Sequence, residues 1–118
     1  MNVETAREYC LSKKGTTESF PFDEVSLVIK VVDKMFALID LEGAVSISLK
    51  CDPEKALELR EHYSGIEGAY HFNKKYWNSV RFDSDVDDKL IKELIDHSYD
   101  EVIKKFTKKL RAAYDALP

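Results

Sequence analysis

Apolar and polar residues alternate along the middle of the chain with the period of two that is typical of β-strands. The alternation runs through Val25–Val32 and Ala44–Leu49, and a compact apolar run, Met35–Asp40, lies between them. Only a few residues separate one run from the next. Connections this short join antiparallel neighbours, because a parallel crossover needs about a dozen residues or more. We therefore predict three consecutive strands that form an antiparallel meander.

One face of this meander is predicted to be buried. Val45, Ile47 and Leu49 point one way along their strand, whereas Ser46 and Ser48 point the other way. We expect a helix to cover the aliphatic set and solvent to meet the serine set, as in antiparallel sheets with a single packed face.

Capping residues predict helices on both sides of the strands. Asn2 can cap a first helix that ends near Ser12. Asp52 followed by Pro53 is a strong helix start, because Asp accepts backbone N–H groups and Pro lacks an N–H that would otherwise be unpaired. This second helix is predicted to end near Tyr63.

The last third of the chain predicts one more strand and two helices. Tyr76–Phe82 alternates like a strand, and Ser84 or Asp85 is expected to start the helix that follows. Ser98 and Glu101 have the spacing of a capping box, which predicts a break before Ser98 and a fresh helix after it. Strands grouped between helices indicate the α+β class. We predict a single domain over residues 1–118, with an antiparallel β-sheet and helices packed on one face.

Size and composition fit a small globular protein. The 118 residues are 44% apolar and 34% charged, which is enough apolar material for one core. No apolar run approaches the roughly 20 residues that span a bilayer, and the first residues lack the basic and apolar segments of a signal peptide. We expect a cytoplasmic protein that is monomeric and has no membrane partner.

The chain lacks a recognisable catalytic or metal-binding pattern. His71 has polar neighbours, but no Ser or Cys nucleophile lies in a glycine-rich turn. Cys10 and Cys51 do not have the paired spacing of zinc ligands. The acidic segment 83–88 has Asp88 and Leu94 where a calcium loop needs Gly and Glu. We therefore expect a protein that is not an enzyme and that uses no cofactor and no metal.

Several separate strings resemble the MmcQ/YjbR family of small bacterial proteins, and they occur in the family's order. They are Gly15–Phe22, Lys34–Ala37, Ser48–Glu54, His71–Val80 and Asp96–Tyr99. The family's fold is similar to that of the frataxin homologue CyaY, and its members are described as DNA-binding proteins with a double-wing arrangement. The resemblance therefore implies a CyaY-like α+β domain that binds DNA.

The net charge of −4 requires that any binding of DNA use a local basic patch, because contacts to backbone phosphates dominate affinity. The basic run Lys104–Arg111 can add to such a patch. The alternative is a noncatalytic module that binds a protein or small ligand through a surface around Tyr70 and Trp77. The candidate DNA-binding residues are Asn73, Lys74, Lys75, Trp77 and Arg81.

Overall fold

Six antiparallel strands and four helices form the computed structural model, which describes residues 1–43, 45–69 and 72–118. Across the sheet the strands lie in the order first, second, third, fourth, sixth and fifth, and every neighbouring pair is antiparallel. The predicted α+β class is confirmed. In chain order the elements are α1 (Val3–Leu11), β1 (Thr16–Ser19), β2 (Ser26–Val31), β3 (Lys34–Asp40), β4 (Ser46–Lys50), α2 (Pro53–His62), β5 (Ile66–Gly68), β6 (Trp77–Arg81), α3 (Asp88–Lys104) and α4 (Lys108–Asp115).

The strands β2, β3 and β4 are the predicted meander. Ile39 of β3 pairs with Ile47 of β4, so aliphatic side chains line up across one face of the sheet. Ile47 and Leu49 are buried, as predicted. The expected burial of Val45 is wrong: this residue is half-buried, because β4 begins only at Ser46 and Val45 lies in the connection before it. The predicted first residue of this strand, at position 44, lies outside the described residues.

A bulge in β3 brings two consecutive side chains into the core. Ile29 pairs with Ala37, but the following residue of β2 pairs with Met35, which leaves Phe36 as the extra residue. The Phe36 side chain is fully buried, and its ring meets the ring of Tyr99 on α3 edge to face, with the centroids 5.3 Å apart. The bulge thus helps to hold α3 across the middle strands.

The predicted break before Ser98 is wrong, because α3 continues to Lys104. Ser98 Oγ donates to the Phe36 carbonyl oxygen at 2.5 Å and accepts from the Lys50 backbone N–H at 2.9 Å. Glu101 lies 2.7 Å from the Lys104 ammonium group instead of capping a new helix. The Ser98 hydroxyl therefore joins the helix to two strands, a role that local spacing does not reveal.

Other residues set the two ends of this helical region. The Asp87 carboxylate accepts a backbone N–H three residues on at 2.8 Å and caps α3. The predicted start at Ser84 or Asp85 is therefore wrong, because Asp85 instead accepts the Gly65 N–H at 2.8 Å. At the other end, Thr107 caps α4.

The two edge strands have no counterpart among the sequence predictions. β1 is four residues of polar sequence and β5 is three residues that include glycine, so neither shows the alternation of a half-buried strand. They form because β2 and β6 offer unpaired backbone groups, which a neighbouring segment can satisfy.

The sheet face away from the core is less exposed than predicted. Val28 is fully buried and Leu38, its partner across β2 and β3, is nearly so. The expectation that solvent meets this whole face is therefore wrong at its centre. Leu38 lines a cavity together with Phe72, from the segment before β6.

Candidate nucleic-acid interface

A tight turn before β6 presents the candidate lysines. Asn73 Oδ1 accepts the Lys75 backbone N–H at 3.0 Å, and the Asn73 carbonyl accepts the N–H groups of Tyr76 and Trp77, both at 3.0 Å. Asn side chains commonly shape turns in this way. Asn73 is therefore engaged in forming the turn, and Lys74 and Lys75 remain exposed beside it.

Arg60 ties this turn to α2. Its guanidinium donates to the Lys74 carbonyl oxygen and, through Nε at 2.7 Å, to Asn78 Oδ1. Asn78 is buried and donates to the Ala56 carbonyl at 3.3 Å. A network of this kind, with one charged member, fixes the backbone position of the turn against the helix. Sequence reasoning missed Arg60, because its partners lie well over ten residues away along the chain.

The Lys74 side chain lies on the edge strand. A Cβ atom built on Gly68 of β5 would lie 3.1 Å from Lys74 Cγ, so the glycine leaves room for the lysine stem. The stem thus packs against β5 while the residue as a whole remains exposed, as long basic side chains often do.

Tyr76 brings two lysines together. The Lys75 ammonium nitrogen lies 5.6 Å from the centre of the Tyr76 ring, and the Lys105 ammonium nitrogen, at the end of α3, lies 5.2 Å from the same centre. Both distances allow a cation–π attraction. The ring therefore holds basic groups from two distant parts of the chain on one surface.

Next to Tyr76 is a concave surface that we call the lysine hollow. Its volume is about 260 Å³, and Lys34, Lys50 and Lys105 line it over an apolar floor that includes Val102 and Phe106. Burial is the main reason why the pKa of Lys50 is lowered, and the positive charge of Lys105 lowers it further. The nearby carboxylate of Glu101 opposes this shift.

The topology explains why these lysines meet. Lys34 is the first residue of β3, Lys50 is the last residue of β4, and Trp77, the first residue of β6, pairs with Lys50. In antiparallel neighbours, the start of one strand and the end of the next lie at the same end of the sheet. The C-terminus of α3 reaches the same end, since Lys105 also lines the hollow.

Arg81 is separate from the other candidate residues. It lies at the opposite end of β6, four residues beyond Trp77, which corresponds to about 13 Å along a strand. Its Nε atom lies 3.9 Å from the Asp83 carboxylate. The structure therefore brings Asn73, Lys74, Lys75 and Trp77 together but leaves Arg81 next to an acidic segment.

Trp77 lies behind a second feature, which we call the aromatic pocket, and contacts it through Phe72. The Trp77 ring stacks on the Phe72 ring with the centroids 4.8 Å apart and the planes at 26°. Phe72 lines a cavity of about 280 Å³ on the sheet face away from the core. The other described lining residues are Phe22, Asp23, Ser26 and Leu38.

His97 contributes a hydrogen bond to the fold, and the two cysteines are buried. His97 Nε2 accepts the Asp52 backbone N–H at 3.1 Å at the start of α2, and burial lowers the pKa of His97. Burial raises the pKa of the Cys10 thiol to about 12 and that of Cys51 to about 11, so neither is a ready nucleophile. Tyr70 and His71, which also figured in the sequence predictions, lie outside the described residues.

Among residues 1–43, 45–69 and 72–118, no group of three or more His, Cys, Asp or Glu side chains is arranged to hold a metal ion. In the same part of the chain, no helix is long and apolar enough to cross a membrane.

A family model described as YjbR matches residues 11–101, a range that includes β1 to β6 and most of α3. The chain belongs to the YjbR family. It is 34% identical over 104 residues to the Escherichia coli protein named YjbR, and this match covers 87% of the chain and 88% of the relative. It is also 34% identical over 107 residues to an Escherichia coli protein named YbdF, covering 90% of the chain and 88% of that protein.

Solved structures give the same family and fold. The crystal structure of Deinococcus radiodurans protein DR2400, described with a DUF419 domain, matches with a TM-score of 0.88 and 40% identity over 99% of this chain and 89% of that one. A crystal structure of a Pseudomonas syringae protein, structural genomics target PsR293, matches with a TM-score of 0.72 and 30% identity over 83% of this chain and 96% of that one. The predicted resemblance to MmcQ/YjbR is thus confirmed.

Proposed function

We propose that this YjbR-family protein binds DNA through its backbone phosphates, at the end of the sheet formed by the lysine hollow and the turn before β6. The observation that carries the proposal is the convergence of Lys34, Lys50 and Lys105 on one concave surface, with Lys75 beside them over the Tyr76 ring. Lysines supply the phosphate contacts from which most nonspecific affinity for DNA derives. The family resemblance to double-wing DNA-binding proteins supports the same function.

The distribution of charge fits this proposal in spite of the net charge of −4. Segment 83–88 contains four aspartates, and it connects the far end of β6 to the N-terminus of α3. The lysines lie at the other end of α3, which is 17 residues long and so spans about 25 Å. A separation of this size exceeds the Debye length of about 8 Å at physiological ionic strength, so the acidic end is screened from DNA held at the basic end.

The proposed binding is noncatalytic and insensitive to sequence. Phosphate contacts position a protein on DNA without reading its bases. The thiols and His97 are engaged or buried as described above, so we assign no reaction to them.

A salt titration tests the proposal. We expect a fluorescence-labelled duplex to bind at low ionic strength and to weaken steadily as salt increases. The variant Lys50→Gln/Lys105→Gln keeps most of each aliphatic stem but removes two charges, and should lower the slope of log affinity against log salt by about 1 to 2 units. The variant Lys74→Ala/Lys75→Ala should act similarly on duplexes of unrelated sequence.

The control variant is Lys89→Gln/Lys92→Gln, which removes the same charge from the N-terminal half of α3. It should leave the slope unchanged. Equal effects of the two Gln pairs would show that only net charge matters and would contradict the assigned site. If the wild-type protein shows no salt-dependent association, the proposal fails, and a noncatalytic module that binds a protein or small ligand at the aromatic pocket becomes the better interpretation.

A further inference from the structure

The aromatic pocket includes two phenylalanine rings in its lining. The first, Phe22, is 68% exposed. The second, Phe72, stacks on the Trp77 ring. Because the core does not cover the Phe22 side chain, its ring can pack on a ligand. Aromatic side chains of this kind are the stacking platforms on which single-stranded nucleic acids place their bases.

The aromatic pocket and the lysine hollow carry charges of opposite sign. Asp23 lies at the polar edge of the pocket, where Oδ1 accepts the N–H groups of Val25 at 2.9 Å and Ser26 at 2.7 Å, and Oδ2 accepts from Ser26 Oγ at 3.1 Å. A carboxylate repels a phosphate but tolerates a neutral base. The lysine hollow has the opposite preference, so the two sites together complement a base and its phosphates.

Strand pairing brings the two sites close to each other. Phe72 lines the pocket and stacks on Trp77, and Trp77 pairs with Lys50 of the hollow across β6 and β4. The pocket residue Leu38 pairs with Ser48, and Lys50 is two residues further along β4, which corresponds to about 7 Å. The distance from one nucleotide to the next in an extended strand is of the same order.

We propose that the protein binds single-stranded DNA in preference to duplex DNA, with an unpaired base stacked in the aromatic pocket and its neighbouring phosphates at the lysine hollow. This inference rests on the proposed function, because it uses the same lysines. The bases of a duplex are stacked inside the helix and cannot reach the pocket, so a duplex gains only the phosphate contacts. Loss of one stacked base weakens affinity by about 5- to 150-fold.

Two exposed phenylalanines provide a matched pair of variants. Phe22 lines the pocket, whereas Phe20, which is 49% exposed and lies two residues away, is not among the lining residues. At one salt concentration, Phe22→Ala should weaken binding of a labelled 12-nucleotide single strand at least about 5-fold, and Phe20→Ala should have little effect. Phe72→Leu should resemble Phe22→Ala. None of these changes should alter duplex affinity or the salt slope.

The fluorescence of Trp77, the only tryptophan, gives a second readout. Because Phe72 stacks on it, a base in the pocket should change its emission with the single strand and not with the duplex. Equal affinity for the two DNA forms, or equal effects of Phe20→Ala and Phe22→Ala, would overturn this inference. The phosphate-binding function would still stand if the lysine variants kept their effect, whereas absence of binding to either form would refute both.

Discussion

Replacement of Ser98 by alanine tests the way in which α3 is joined to the sheet. The Ser98 side chain is fully buried and makes two hydrogen bonds, to the Phe36 carbonyl at 2.5 Å and from the Lys50 N–H at 2.9 Å. Alanine fits the same space but offers neither a donor nor an acceptor. The Lys50 N–H, at the end of β4, would lose the partner that it has in the structure.

The expected cost is the sum of a few known contributions. Each lost hydrogen bond costs about 0.5–1.5 kcal/mol, and a buried backbone group left without a partner brings the total for such a change to about 2–3 kcal/mol. The higher helix propensity of alanine offsets up to about 0.5 kcal/mol. We expect a net loss of about 2 kcal/mol in the free energy of unfolding, which for a chain of this size lowers the melting temperature by roughly 6–10 °C.

The assay is urea denaturation followed by circular dichroism, with a thermal melt as a second measurement. Ser19→Ala is a suitable control, because Ser19 is exposed on the edge strand β1, which supplies neither hydrogen-bond partner of Ser98. If Ser98→Ala is neutral or stabilising, as expected for an ordinary serine inside a helix, the proposed link between α3 and the two strands is wrong.

Three further variants test other parts of the structure. Arg60→Ala should lower the free energy of unfolding by about 1.5–3 kcal/mol in urea titrations, because Asn78 loses a charged partner; an unchanged midpoint would contradict this network. Gly65→Ala should cost about 1–3 kcal/mol in the same assay, since its Cβ would lie 2.1 Å from Ser84 Oγ, and Gly65→Ala should regain stability when combined with Ser84→Gly. Because burial lowers the pKa of His97 below its ordinary value of 6.5, the unfolded state binds its proton more readily, so stability should be full above pH 6.5 and fall as the pH drops below it. His97→Gln should show a smaller fall in urea midpoint between pH 7.5 and 5.5, and an identical fall would refute the assignment.

The meander could be predicted because its information is local. Strict alternation and very short connections leave only an antiparallel arrangement for β2, β3 and β4. The edge strands could not be predicted in this way, since β1 and β5 are short, lack alternation and exist only through pairing with a neighbour.

Ser98 shows how a local rule can fail. The spacing from Ser98 to Glu101 matches a capping box, but the hydroxyl finds partners in β3 and β4 that are far away in sequence. Tertiary hydrogen bonds at a fully buried position outweigh the preference for a helix start, which contributes only about 1 kcal/mol.

The candidate site could be predicted only where its residues are neighbours in sequence. Lys74, Lys75 and Trp77 are neighbours in sequence and remain together in the structure. Lys34 and Lys50 join the site only through strand register. Arg81 shares β6 with Trp77, but the length of that strand separates it from the lysines.

Mapping of DNA contacts by NMR is the decisive test of phosphate binding at the lysine hollow. Backbone amide shifts of the isotope-labelled protein are followed as a short oligonucleotide is added at low salt. We expect the largest changes at Lys34, Lys50, Lys105 and residues 73–77, and we expect them to disappear at high salt. Changes concentrated at Arg81 and residues 83–88, or no salt-sensitive changes among the assigned amides, would contradict it.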